Sequence, residues 1–199
     1  MKMIKTVLPM IGLLLLQSGV TYSCETYEQY TIDEIKEFRD MLGKQDADPL
    51  DRLFAFEKMA CADRPTVRSY AAKEGLKTIK DPLVRNEIML RALMQKTRVD
   101  VELGTGNKLT VDDKKFIAEH GGIYTHQVTG SSNKDGCISF YTKECTTSYG
   151  LFVSGDKVEL NYKNVFGEFR LSSSGELVGT LRAQNSAKYT RIPAVIKLF

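Results

Sequence analysis

The chain has 199 residues, of which 42% are hydrophobic and 27% are charged. This composition is typical of a globular protein with one large domain or two small ones, and it excludes a disordered chain. The 28 Lys+Arg and 25 Asp+Glu residues give a net charge of +3, and acidic and basic residues alternate along the sequence. Because nucleic-acid-binding domains usually concentrate basic residues on one face, we expect no nucleic acid partner.

Residues 1–23 predict a signal peptide. Lys2 and Lys5 precede an apolar run of about ten residues, and a polar stretch with small residues ends at Ser23. The run is too short for a membrane span, which needs roughly twenty apolar residues, and we expect no transmembrane segment in the mature chain. Without the leader, 176 residues remain with 26 basic and 25 acidic side chains, because the leader holds two lysines and no acid. We therefore predict a periplasmic or secreted protein; the leader suits a bacterial periplasm, and a eukaryotic secretory route stays open.

Four cysteines follow the predicted leader: Cys24, Cys61, Cys137 and Cys145. An even number of cysteines in an exported chain predicts two disulfides. Three pairings are possible, and proximity along the chain favours Cys24 with Cys61 and Cys137 with Cys145. No spacing among them matches a metal-ligand pattern such as C-x-x-C, and we expect neither a metal nor another cofactor.

Cys24 has a second interpretation, because a cysteine directly after a cleavage point can carry a lipid anchor. The preceding Val20-Thr-Tyr-Ser23 matches a bacterial lipobox poorly, since Thr21 stands where leucine is usual. Lipidation would also leave one thiol unpaired. The sequence therefore favours a disulfide over a lipid at Cys24.

Residues 24–97 predict a helical domain. Thr31-Ile-Asp-Glu34 is a capping box that begins a helix, and Gly43 suits its end. Three Pro-x-x-Arg segments then begin at Pro49, Pro65 and Pro82, and each continues with helical apolar spacing. Asp48 and Asp81 directly precede their prolines, as expected for an N-cap followed by proline at the first helical position. Helices of about 13 residues joined by tight turns predict antiparallel hairpins.

Residues 48–94 resemble HEAT-type helical repeats, particularly at Asp63-Arg-Pro-Thr-Val-Arg-Ser-Tyr-Ala-Ala72 and at Asp81-Pro-Leu-Val-Arg85. The sequence departs from the repeat pattern at Gly75, where such helices normally carry alanine or leucine. The resemblance implies a scaffold that binds protein or peptide without catalysis. An ordinary small helical bundle with Asp-Pro caps is the alternative.

Residues 98–199 predict an antiparallel β-domain with one short helix. Residues 98–103 alternate between polar and apolar, 108–111 resume the alternation, and Thr110 with Asp113 caps a short helix that runs to His120. Extended segments then recur about every ten residues, separated by turn residues that include 130–136 and 184–187. The predicted segments are 123–129, 138–142, 150–154, 157–163, 166–172, 176–183 and 189–198. Pro193 places the last one at an edge or a bulge.

The predicted fold class is therefore α+β, with N-terminal antiparallel helical hairpins followed by a C-terminal antiparallel β-meander or small barrel. Short connections can join antiparallel neighbours but cannot make parallel crossovers.

The two histidines mark the candidate polar site. His120 and His126 lie six residues apart, and Asp112 and Asp113 are nearby in sequence. The spacing crosses a predicted helix-to-strand break and matches no metal-ligand pattern. A structural explanation is favoured, since His120 stands at a helix C-terminus and His126 on a sheet face. We assign no catalytic residue, because no serine-hydrolase or phosphate-binding motif is present.

These observations favour a binding protein over an enzyme. We expect an exported protein that recognises a protein partner in the cell envelope, as an inhibitor, an immunity factor or an assembly accessory does. The alternative is an envelope hydrolase, or a carbohydrate- or lipid-binding module, that uses a pocket in the β-domain.

Overall fold

The computed structural model describes residues 24, 26–106, 108–183 and 191–199. The predicted signal peptide and the predicted turn at 184–187 lie outside these residues, as does the beginning of the last predicted strand. The described residues contain five helices and a nine-stranded antiparallel sheet. The predicted α+β fold class is therefore confirmed.

Four helices occupy the N-terminal part, and they begin where the capping signals predict. Their bounds are α1 (Ile32–Gly43), α2 (Pro49–Ala60), α3 (Pro65–Thr78) and α4 (Pro82–Met94). The capping box of α1 is formed, because the Glu34 N–H donates to Thr31 Oγ1 and the Glu34 carboxylate accepts from the Thr31 N–H. Asp48 and Asp81 accept from backbone N–H groups at the starts of α2 and α4. The Pro-x-x-Arg repeat therefore marks three real helix starts.

The four N-terminal helices pack against one another. Each packs on the next along the chain, α1 also contacts α3, and α2 also contacts α4. Gly75 permits a close approach of α3 and α4, since a Cβ there would lie 2.7 Å from Ile88 Cδ1. This packing gives a physical reason for the glycine that departs from the helical-repeat pattern.

The sheet strands and one further helix follow. Their bounds are β1 (Arg98–Leu103), α5 (Val111–Glu119), β2 (Ile123–Gln127), β3 (Gly130–Ser132), β4 (Cys137–Ser139), β5 (Tyr149–Ser154), β6 (Lys157–Tyr162), β7 (Val165–Leu171), β8 (Leu177–Ala183) and β9 (Ile192–Ile196). The capping box of α5 is formed by Thr110 and Asp113 as expected. The expected strand at 108–111 is wrong, because these residues lead into α5. The segment 130–132, expected as a turn, pairs with β4 as strand β3.

The strands from β3 to β9 follow one another as a meander, and β9 then pairs with β1. Pro193 therefore lies in an interior strand and not at an edge. Its carbonyl accepts from the Gly104 N–H at 2.7 Å. Because the N and the C=O of one strand residue point to the same side, the missing donor faces the end of β1, and no bond to β8 is lost.

The sheet curls so that its two outermost strands are consecutive in sequence. β2 and β3 lie at opposite ends of the strand order, and only Val128 and Thr129 join them. The Val128 N–H donates to Thr97 O, beside β1, while the Thr129 N–H donates to Ser139 O of β4. Val128 and Thr129, although adjacent in sequence, therefore hydrogen-bond to opposite ends of the curled sheet, which forms a half-barrel.

Two disulfides link the described cysteines in the pairing that proximity favours. The N-terminal disulfide joins Cys24 and Cys61, and the hairpin disulfide joins Cys137 and Cys145. The sulfur of Cys24 is engaged in this bond, so it is not available for a thioether-linked lipid.

One hydrophobic cluster includes buried side chains from both the helices and the sheet. Arg85 of α4 joins the two directly, because its Nη2 donates to Ser172 O, after β7, at 2.8 Å. The division into domains 24–97 and 98–199 stays a prediction. None of the five described helices combines the length and the apolar character that a membrane span requires.

Candidate functional site

The structure brings only part of the predicted polar site together. Asp113 is buried at the start of α5, where its carboxylate accepts from the Thr110 N–H at 2.8 Å. Asp112 lies in the same first turn. His120 stands at the other end of this helix, about 10 Å away at 1.5 Å per residue. Asp113 therefore caps the start of the helix and Asp112 lies beside it, while both histidines contact Tyr124.

His126 lies inside an aromatic cluster under the curled sheet. Its imidazole stacks on Phe140 at a centroid distance of 4.7 Å and an angle of 14°. It also contacts Tyr162 at 4.2 Å and Tyr124 edge-on at 4.4 Å. His120 also contacts Tyr124, at a centroid distance of 5.0 Å, and its Nδ1 lies 2.8 Å from Phe116 O. Within the described residues, Nε2 of His126 is buried without a hydrogen-bond partner.

The surroundings of His126 favour its neutral form. Burial lowers the pKa of His126 from its ordinary value of 6.5 to about 4, and His120 acts in the same direction. A general acid or base is useful near its own pKa and needs a hydrogen-bonding orienting group. An imidazole held between aromatic rings fits a packing role better than proton transfer.

Metal-binding geometry is also missing from the part of the chain that the structure describes. No group of three or more histidine, cysteine, aspartate or glutamate side chains there could hold a metal ion.

A pocket of about 280 Å³ lies where the helices meet the end of the sheet, and we call it the seam pocket. Its polar lining comes from Tyr27, Arg68, Ser69, Gln95 and Lys96, and its apolar lining from Pro65, Ala72, Ala92, Leu198 and Phe199. Arg68 lies on α3, whereas Gln95 and Lys96 directly follow α4. The residues thus converge from four separate parts of the chain.

The arginines of the Pro-x-x-Arg segments explain part of this geometry. Nη1 of Arg68 donates to Ala62 O at 2.7 Å and to Asp63 O at 2.9 Å, just beyond the end of α2. Nη1 of Arg85 likewise donates to Leu76 O and Ile79 O at the end of α3. Each arginine thus satisfies carbonyl groups that the end of the preceding helix leaves free. Arg52, the arginine of the first such segment, is buried, and its Nε has no partner among the described residues.

A second concave surface, the α1–α3 groove, lies between those two helices. It has a volume of about 250 Å³ and is lined by Ile35, Arg39, Met59, Thr66, Val67 and Tyr70. Tyr70 is 43% exposed at the rim, and Ile32, one turn before Ile35, is 62% exposed. The groove therefore combines an apolar floor with exposed apolar side chains.

The outer face of the sheet carries a smaller depression of about 90 Å³. Phe166, Glu168, Thr180, Arg182 and Arg191 line it. One carboxylate beside two guanidinium groups does not provide the pair of carboxylates that a glycosidase would need.

Sequence reasoning missed the seam pocket and the α1–α3 groove. The Pro-x-x-Arg repeat was a usable signal for Arg68, because the same residue recurs at the same place in successive helices. No sequence pattern pointed to Lys96, because lysine is common just after the end of a helix.

Comparisons of the chain with protein families, with curated proteins and with solved structures give no match. The resemblance of residues 48–94 to HEAT-type repeats therefore stays a prediction from the sequence alone.

Proposed function

We propose that this chain is an exported, non-catalytic binding protein that recognises another protein of the cell envelope, as an inhibitor, an immunity factor or an assembly accessory does. The observation that carries the proposal is the α1–α3 groove. Exposed apolar groups around a concave surface are characteristic of protein interaction sites. The two disulfides support export, because such bonds persist in oxidising compartments.

The groove suits an apolar segment of the partner, and an amphipathic helix is the simplest form of it. Two neighbouring helices offer a trough into which a third can place side chains at helical spacing. Tyr70 is the expected anchor, because tyrosine combines a large apolar area with one hydrogen-bonding group and is enriched in interfaces.

The test is quantitative affinity capture from an envelope extract with three forms of the protein. Tyr70→Asp changes the rim of the groove, and Leu83→Asp is the matched control, since Leu83 is 80% exposed on α4 outside the groove. We expect the unmodified protein and the Leu83→Asp variant to recover the same partner, and Tyr70→Asp to recover at least about tenfold less. Repeated recovery of no partner, or equal recovery by all three forms, would contradict the proposal.

A further inference from the structure

The guanidinium of Arg68 is held in place while part of it stays unused. Nη1 bonds to two main-chain carbonyls, and the guanidinium carbon lies 4.4 Å from the ring centroid of Tyr27. These contacts fix the plane of the group. Among the described residues, neither Nε nor Nη2 has a hydrogen-bond or ion-pair partner. Those two nitrogens form the edge that binds a carboxylate in bidentate geometry.

Lys96 brings a second positive charge to the same pocket. It is half-buried and makes no ion pair among the described residues. Burial lowers the pKa of Lys96, and the charge of Asp100 opposes that effect. Asp100 is itself engaged, since it accepts from Arg98 Nη2 at 2.8 Å and from Thr125 Oγ1 at 2.8 Å. The lining of the seam pocket thus contains two cationic side chains and no aspartate or glutamate.

The remaining lining is suited to an apolar body. Ala72, Ala92, Leu198 and Phe199 supply aliphatic and aromatic surface beside the two cations. Pockets that bind small molecules typically combine apolar walls with a few convergent polar groups. A volume of about 280 Å³ lies just below the usual range for such pockets, about 300–1,000 Å³, and so favours a small ligand.

We propose that the seam pocket binds a small organic carboxylate with an apolar body, with its carboxylate against Arg68 and Lys96. An inorganic anion would leave the apolar walls unused, and a neutral apolar molecule would leave both cations unpaired. The carboxylate belongs either to a free acid or to the C-terminus of a peptide, since both present the same group. The proposal does not depend on the α1–α3 groove or on a protein partner there.

The experiment is a titration of the oxidised protein, followed by ¹H–¹⁵N NMR. The probes are 3-phenylpropionate, its amide, N-acetylphenylalanine and inorganic phosphate. We expect saturable shifts at the amides of Ala72, Ala92 and Lys96 with the two carboxylates, and none with the amide or with phosphate. Tighter binding of 3-phenylpropionate would indicate a free acid as the source, and tighter binding of N-acetylphenylalanine would indicate a peptide terminus.

Charge variants separate a specific site from general attraction to a cationic protein. Lys96→Gln removes one pocket cation, and Lys77→Gln is the matched control, because Lys77 is exposed on α3 outside the pocket. We expect Lys96→Gln to weaken binding of the carboxylate at least about tenfold and Lys77→Gln to leave it unchanged. Arg68→Lys keeps the charge but loses the bidentate edge, and it should weaken binding by a similar factor.

Three results would overturn the proposal. They are the absence of saturable shifts up to about 10 mM carboxylate, equal shifts with the amide, and equal weakening by Lys96→Gln and Lys77→Gln. The spectrum of each variant without ligand reports whether it is folded. If Arg68→Lys disturbs the fold through its bonds to Ala62 and Asp63, Lys96→Gln alone decides the question.

Discussion

Replacing His126 by phenylalanine should remove an acid-sensitive part of the protein's stability. The folded-state pKa is about 4, whereas the ordinary value is 6.5, so between these values the unfolded chain binds more protons than the folded one. The contribution of His126 is fully present above about pH 6.5 and is lost as the pH falls towards 4. At about 1.4 kcal/mol per pKa unit, the loss is at most about 3.5 kcal/mol, and we expect about 1.5 kcal/mol after discounting for solvent screening near the ring.

Phenylalanine is the appropriate replacement because the site is already aromatic. Phe140, Tyr162 and Tyr124 surround the imidazole, and Nε2 has no partner that the variant would strand. At pH 7 the variant should therefore be at least as stable as the unmodified protein, since a buried unpaired polar atom is removed.

The assay is urea unfolding at pH 7 and at about pH 4.5, followed by far-UV circular dichroism with the disulfides intact. Acidic residues also titrate in this interval, but they contribute equally to both proteins and cancel in the difference. We expect the unmodified protein to lose about 1.5 kcal/mol more than the variant over the interval. An identical pH dependence, within about 0.5 kcal/mol, would refute the conclusion that His126 is buried in its neutral form.

Three further predictions concern stability. Arg85→Ala should lower the free energy of unfolding by about 2 kcal/mol, because the hydrogen bonds of Arg85 to the end of α3 and to the β7–β8 turn are lost. A change below about 0.5 kcal/mol in urea unfolding would contradict this role. Replacing both cysteines of the N-terminal disulfide by serine should lower the free energy of unfolding by about 4 kcal/mol, and the same change in the hairpin disulfide should lower it by about 2.5 kcal/mol. The difference is expected from loop entropy, because the sequence separations are 37 and 8 residues. The opposite order in thermal unfolding would exclude this explanation. Gly179→Ala should lower the free energy of unfolding by more than about 2 kcal/mol, because a Cβ there would lie 1.9 Å from Glu168 O. Gly43→Ala should be neutral or stabilising, because no atom lies within 4 Å of a Cβ at that position. Equal denaturation midpoints for the two glycine variants would contradict this comparison.

Features that depend on local chemistry could be predicted from the sequence. The capping boxes at Thr31 and Thr110 and the Asp-Pro starts of α2 and α4 involve residues within three positions of each other. A hydroxyl or carboxylate at such a spacing satisfies helix N–H groups whatever the remainder of the chain does. The extended segment predicted at 157–163 likewise depends on a local pattern, and it is present as β6.

Features that depend on distant pairing were missed. The sequence predicts Gly130 as a turn residue, but it pairs with Ser139, and a Cβ at that position would lie 2.1 Å from Lys143 O. The glycine therefore permits a close approach of two segments that local sequence does not reveal. Pro193 predicts an edge strand or a bulge, because its missing donor is harmless there, but an interior strand tolerates it where the neighbouring strand ends.

The candidate site was unpredictable for a related reason. The lining of the seam pocket includes Tyr27, Arg68, Lys96 and Leu198, which no short motif could connect. The predicted histidine site rested on proximity along the chain, and His126 instead contacts Phe140 and Tyr162 because the sheet curls.

The position of β9 between β1 and β8 has a consequence for the order of folding. This last strand along the chain pairs on one side with β8 and on the other with β1, as in the pairing of Val101 with Ile196. β1 and β2 thus have no hydrogen-bonded pairing with the rest of the sheet until β9 has been synthesised. Because contacts between such distant residues form slowly, a nascent chain should expose the edges of β1 and β8 that will later pair with β9. Loss of β9 would separate β1 and β2 from the other six strands, so the complete sheet depends on a strand that is synthesised after all the others it joins.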